Sequence, residues 1–204
     1  MSSFWGPPPL SQVAKIVLAI GLPVKPIIKA TVFKQFCGGE SKEEYAKIIT
    51  KLGKAGIGTI LDYSVEGTQD DTEFENTKNE LLKIIKEAGT NENIPCTCMK
   101  MTGIGSFELL EKITAGDVLS EDEKQDWKKL KNRLDVICKA ANESGKPIYI
   151  DAEESWIQGA TDSLAEEMMA KYNKKKAIVF TTLQMFRWDR IDYLNQLIEQ
   201  ARSG

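Results

Sequence analysis

The 204-residue chain contains no histidine. That absence removes the usual zinc-ligand sets, every histidine-based triad and the imidazole general base. Chemistry on this chain must run through carboxylates, lysine, tyrosine, cysteine or a cofactor. Cysteine is scarce as well. Cys37, Cys96, Cys98 and Cys138 form neither a C-x-x-C pair nor a dense disulfide framework, which reads as reduced thiols in a reducing compartment. Basic runs are missing and the net charge is −3. A nucleic-acid surface would need a basic stripe, so neither a metal nor a nucleic-acid partner is expected. Long hydrophobic runs are missing too. The most apolar stretch near the start, LSQVAKIVLAIGLPVKPIIK (10–29), carries Lys15, Pro23, Lys25 and Pro26. A membrane span of about 20 residues tolerates that mixture poorly, and a secretory cleavage site is absent. The stretch reads as a short amphipathic helix, packed on the domain or touching a membrane surface.

Four short apolar segments stand out against this background. They are GTILDYSVEG (58–67), IPCTCMKMTGIG (94–105), PIYIDAEES (147–155) and KAIVFTTLQMF (176–186). Each is rich in β-branched or aromatic residues and runs into polar or glycine-containing sequence at its C-terminal end. Helical patterns lie between them. Ser41 with Glu44 and Ser120 with Glu123 form capping boxes ahead of apolar residues at helical spacing. Residues 71–88 place Leu81, Leu82, Ile84 and Ile85 toward a core, and 159–173 and 189–202 read as two further helices.

The order is a helix, then strand and helix four times. Strands alternating with helices imply parallel pairing through right-handed crossovers. Near-continuous apolar strands imply a sheet buried on both faces. Two architectures fit: an open doubly wound sheet, or part of a (β/α)₈ barrel, which as a whole takes about 250 residues.

In either architecture ligands gather at the C-terminal ends of the strands. Those ends supply Asp62, Tyr63 and Glu66, then Lys100, then Asp151, Glu153 and Glu154, then Gln184. Alternation along a strand sets Cys96, Cys98 and Lys100 on one face, and Tyr149, Asp151 and Glu153 on one face. Asp151 reads either as a functional carboxylate or as a cap for the next helix. Glu154 reads as a helix-start or surface carboxylate. Lys100, near the end of a buried strand, must be paired or bind an anion. It can pair with Asp151 or Asp62, hold a substrate carboxylate, or form a Schiff base. GIGS at 103–106 reads as a turn, or as a loop admitting a phosphate.

Taken in order, IKATVFKQFCGGES, ILDYSVEG, CMKMTGIGSFELLEKI, IYIDAEESW and TTLQMF resemble the N-terminal half of the proline dehydrogenase family. The resemblance runs from about residue 24 to the C-terminus. It implies a (β/α)₈ barrel of which the first four strand–helix units are present, preceded by N-terminal helices. The implied division is a helical segment over 1–40 and the half-barrel over 41–204. It implies an FAD enzyme that oxidises L-proline to Δ1-pyrroline-5-carboxylate and passes electrons to a quinone, with peripheral membrane contact.

By resemblance, Lys100 holds the substrate carboxylate and Asp151 is the active-site aspartate beside flavin and substrate. Ala152 offers backbone contact to the flavin and Gln184 bonds its ring. Asp62 matches an aspartate at the first strand end. The family's cationic residues on later strands have no counterpart here, so the resemblance implies a fragment with an open edge through which it self-associates. Alternatives are an inactive half-barrel that needs a complementary chain, and a barrel enzyme using Lys100 as a Schiff-base nucleophile. The compartment implied is bacterial cytoplasm or inner-membrane periphery, or mitochondrial matrix or inner membrane.

Overall fold

A computed structural model describes residues 31, 33, 38, 39, 41–63 and 70–203. The expected N-terminal helix over 10–29, the helical segment over 1–40 apart from four positions, Glu66 and Cys37 lie outside the described residues. The chain divides into two units, Met1–Lys51 and Leu52–Gly204. Helix α1 (Lys42–Lys54) begins in the first. It opens where the Ser41 hydroxyl accepts from the Glu44 N–H at 3.3 Å, one half of the expected capping box.

The second unit carries helix α2 (Asp71–Thr90), strand β1 (Thr97–Lys100), a single 3₁₀ turn (Met101–Gly103) and helices α3 (Phe107–Ala115) and α4 (Glu121–Ser144). Strand β2 (Ile148–Asp151), helix α5 (Gln158–Tyr172), strand β3 (Val179–Thr181) and helix α6 (Arg190–Ser203) follow. Asp70 caps α2 by accepting from the Thr72 N–H at 2.9 Å. The capping box of α4 is complete: Ser120 Oγ accepts from Glu123 N–H, and the Glu123 carboxylate accepts from Ser120 N–H. Gly145 ends α4 at φ +68, a left-handed conformation that favours glycine.

The sheet is parallel and in chain order, β1–β2–β3. Thr97 pairs with Ile148 and Lys100 with Asp151; Ile148 pairs in turn with Val179. The expected first strand, 58–67, is reduced among the described residues to one parallel bridge, Leu61 to Thr97. The other strands are three or four residues long, shorter than their apolar segments, because pairing stops where each chain turns into its loop.

Among the described residues one face of the sheet packs into the helical core. Thr97, Met99, Ile148, Ile150 and Val179 are fully or nearly fully buried. Most of these pack with Leu81 and Ile85 of α2, Leu110 of α3, Leu130, Leu134 and Ile137 of α4, and Leu164 and Met168 of α5. Leu82 and Ile84 are only partly covered, since their positions turn away from that contact. The opposite face bears Cys98, Lys100, Tyr149, Asp151 and Phe180, all half-buried. Tyr149 and Phe180 stack there with ring centroids 5.0 Å apart.

Polar ties hold the sheet's N-terminal end. Lys146 Nζ donates to the carbonyls of Asn91 and Ile94, at 3.2 and 3.0 Å. The Asn173 side chain accepts from Ile178 and Val179 N–H and donates to the Val179 carbonyl, satisfying the outer edge of β3 at its start. Arg133, 3% exposed, ties α4 to α2 through Asp71 and Glu75 and donates to the Ile104 carbonyl.

Candidate active site

Three strand ends meet at a cavity of about 1200 Å³ whose lining includes Lys100, Thr102, Asp151, Ala152, Glu153 and Gln184. Lys100 and Asp151 are register partners on adjacent strands and project from the same face. Four of the five expected site residues therefore come together. Asp62 does not line this cavity. It stands beside the Cys98 thiol, which burial first and Asp62 second push up to about 12.

The Asp151 carboxylate is held in place. Its Oδ1 accepts from Thr182 Oγ1 at 2.7 Å and from the Ala152 N–H at 3.1 Å. The Ala152 N–H also donates to Thr182 Oγ1 at 2.7 Å. That amide is thus engaged within the chain, and contact from Ala152 to a ligand falls to its carbonyl or methyl. Gln184 donates through Nε2 to the Glu153 carbonyl at 2.8 Å. A carbonyl can only accept, so the amide orientation is fixed by chemistry and Oε1 remains as an acceptor at the cavity.

Sequence reasoning gave no role to Glu153, Thr102 or Thr182. The Glu153 carboxylate accepts from the Thr102 N–H at 3.1 Å and from the Thr102 hydroxyl. Burial raises its pKa above the ordinary carboxylate value, with the Thr102 bonds acting in the opposite direction. Its own N–H donates to Gln158 Oε1 at 3.3 Å. Gln158 in turn donates to Asp162, which pairs with Arg190 at 2.6 Å. A signal for these residues was present: Thr102 and Glu153 each lie two positions beyond an expected site residue, on the side to which the strand period points. Glu154 is exposed, and its carbonyl accepts from Ile157 N–H in the turn into α5, as read from sequence.

GIGS is a turn and a packing point. A Cβ on Gly105 would come within 2.0 Å of the Leu130 side chain, so α4 occupies the space. The turn then feeds Ser106, the N-cap of α3, whose Oγ accepts from Leu109 N–H at 3.1 Å. Among the described residues no group of acidic or cysteine side chains is arranged to hold a metal. Cys96, Cys98 and Cys138 are free thiols.

Comparison with known proteins places this geometry in a family. The family model described as proline dehydrogenase matches residues 45–204. The mitochondrial proline dehydrogenase 1 of Dictyostelium discoideum is 29% identical over 223 residues, covering 91% of this chain and 39% of that protein. The carbapenem antibiotics biosynthesis protein CarD of Pectobacterium carotovorum is 29% identical over 166 residues, covering 81% of this chain and 44% of that protein. The chain thus spans less than half the length of these relatives. Among solved structures, proline utilization A from Bdellovibrio bacteriovorus superposes with a TM-score of 0.72 at 20% identity, over 95% of this chain and 21% of that one. With its matched residues covering most of its length, the chain belongs to the proline dehydrogenase family.

Proposed function

We propose that this chain supplies the substrate- and flavin-facing wall of an enzyme that oxidises L-proline to Δ1-pyrroline-5-carboxylate. The observation that carries the reading is the register pairing of Lys100 with Asp151 at the cavity. Adjacent strands run about 4.8 Å apart. A cation and an anion at that spacing match an amino-acid zwitterion: Lys100 answers the carboxylate and Asp151 the ring nitrogen. Thr182 and the Ala152 N–H fix one oxygen of Asp151, which orients the carboxylate before substrate arrives. The Schiff-base alternative gains nothing from this arrangement, because a neighbouring carboxylate favours the protonated, non-nucleophilic form of a lysine.

The donor set also fits a flavin. Gln184 presents an acceptor, as an N–H of the pyrimidine edge requires, and the small Ala152 leaves room for a flat ring. FAD, when bound, would supply the hydride acceptor that the side chains cannot provide. Lys100, Asp151 and Gln184 position and polarise; Asp62, outside the cavity lining, is given no ligand contact.

The reading extends to the fold. Parallel strands in chain order, with helices packed on one face among the described residues, support a (β/α)₈ barrel. A quinone as electron acceptor, at a membrane periphery, follows from the family resemblance. Among the described residues no helix is long and apolar enough to cross a membrane. Several relatives are named as mitochondrial, and a matrix or inner-membrane setting is proposed for a eukaryotic source.

The test is a visible absorption spectrum of the purified chain with FAD, before and after L-proline, without oxygen. Flavin bands that persist through gel filtration and bleach with proline are the expected result. A chain that holds no flavin and shows no proline-dependent change overturns the reading for this chain.

A further inference from the structure

We infer that Glu153 is a positioning residue for the site, setting the placement of Lys100 against Asp151 and the orientation of the Gln184 amide. The inference rests on the proline and flavin reading given above. Glu153 lies in the loop after β2 and is hydrogen-bonded to the loops after β1 and β3. Its carboxylate takes both donors of Thr102, two residues beyond Lys100. Its backbone lies two residues beyond Asp151, in the same loop. Its carbonyl takes the Nε2 of Gln184 from the loop after β3. Its N–H is directed to Gln158 at the start of α5. One residue therefore connects the three loops that carry Lys100, Asp151 and Gln184.

The two functions of Glu153 are separable. The backbone bond to Gln184 survives any side-chain change that leaves the loop in place. The Glu153 carboxylate ties the loop after β1 to the loop after β2 through both donors of Thr102, with a further backbone contribution from Met101. Without them the 3₁₀ turn at Met101–Gly103 loses a lateral anchor, and the Lys100 side chain at its entrance loses support beyond the strand pairing that sets its backbone opposite Asp151. A half-buried carboxylate taking an N–H and an O–H from one residue also fixes the rotation of that turn, which a single bond would not.

The experiment compares the full chain with Glu153→Gln and Glu153→Ala. Glutamine removes the charge yet keeps a carbonyl acceptor for Thr102; alanine removes both. Lysines are dimethylated with ¹³C, the Lys100 resonance is assigned with Lys100→Arg, and it is titrated without ligand. Glu153→Ala should move the Lys100 titration well away from that of Glu153→Gln. FAD and L-proline affinities are measured in parallel, with melting midpoints as the control. Alanine should weaken L-proline by about tenfold and glutamine by about threefold or less.

Equal shifts of Lys100 in both variants would overturn the inference, because charge alone would then explain them; so would no shift in either. If the wild-type chain takes neither FAD nor L-proline, the functional reading fails by itself, and the ligand-free Lys100 titration still decides the role of Glu153. Should Glu153→Ala not fold, Thr102→Val removes the hydroxyl donor alone and is expected to move Lys100 in the same direction.

Discussion

A lysine and an aspartate facing each other across two strand ends should divide binding from turnover. Lys100→Ala is expected to weaken L-proline by about 1.5–3 kcal/mol, the range for a hydrogen bond to a charged group. Equilibrium titration checks it, and unchanged affinity would remove Lys100 from carboxylate binding. Asp151→Ala should lower turnover as well as affinity, which steady-state rates in the assembled enzyme would show. Cys98 offers a different check. A thiol pushed up to about 12 by burial and by Asp62 has almost no thiolate at neutral pH, so alkylation by iodoacetamide should be far slower than for an ordinary surface cysteine. Rapid labelling at Cys98, read by peptide mass, would contradict that environment. Lys100, Asp151 and Gln184 were legible in the sequence because each is a polar residue at the end of an apolar segment. Thr102 and Thr182 were not, and Glu153 was legible as a strand-end carboxylate but not as the partner of Thr102. A threonine beside a turn and a second carboxylate in a row look like ordinary loop residues until another strand is brought alongside.

Helices α2 and α4 are joined through one nearly buried guanidinium, and stability should depend on it. Arg133→Met is expected to cost about 2–3 kcal/mol, since three acceptors lose a charged donor. Chemical denaturation measures this directly. The pH dependence follows from Asp71, whose carboxyl is held below its ordinary value of 3.8 chiefly by the hydrogen bond from Arg133. A depressed folded pKa adds stability above the unfolded value, and that stability is lost as pH falls through the folded one. Asp71→Asn should therefore lower the melting midpoint at neutral pH, and the gap to wild type should close as pH drops below about 4. A gap that stays constant with pH would remove Asp71 from the account. At this scale the capping boxes and α2, α4, α5 and α6 were readable within a few residues. Helix α3 was missed, because nine residues behind a glycine turn look like the tail of a strand segment. The strands were overestimated, because an apolar run reports burial and continues past the point where pairing ends.

The chain as a whole presents an uneven surface. Phe186 and Trp188, in the loop after β3, are 85% and 90% exposed, and Ile191 on α6 is 55% exposed. Aromatic surface of this kind favours association, so the isolated chain is expected to form dimers or larger species at micromolar concentration, through contacts between copies. Light scattering over a dilution series tests this, and Trp188→Ser should shift the distribution toward monomer. A monodisperse wild-type monomer would count against it. The difference between the two sheet faces among the described residues could not be read from sequence, because Cys98, Tyr149 and Phe180 are apolar enough to suggest equal burial on both sides.

The sheet order has a consequence for how the molecule comes into being. Each strand pairs with the one completed just before it: Ile148 finds Thr97, and Val179 finds Ile148. Among the described residues, β2 and β3 each find the neighbouring strand already synthesised. Emerging from the ribosome at about 5–20 residues per second, the second unit can be laid down one strand and helix at a time, each addition docking on a finished template. The last template offered is β3, so whatever polypeptide meets it there would be received by a surface already folded.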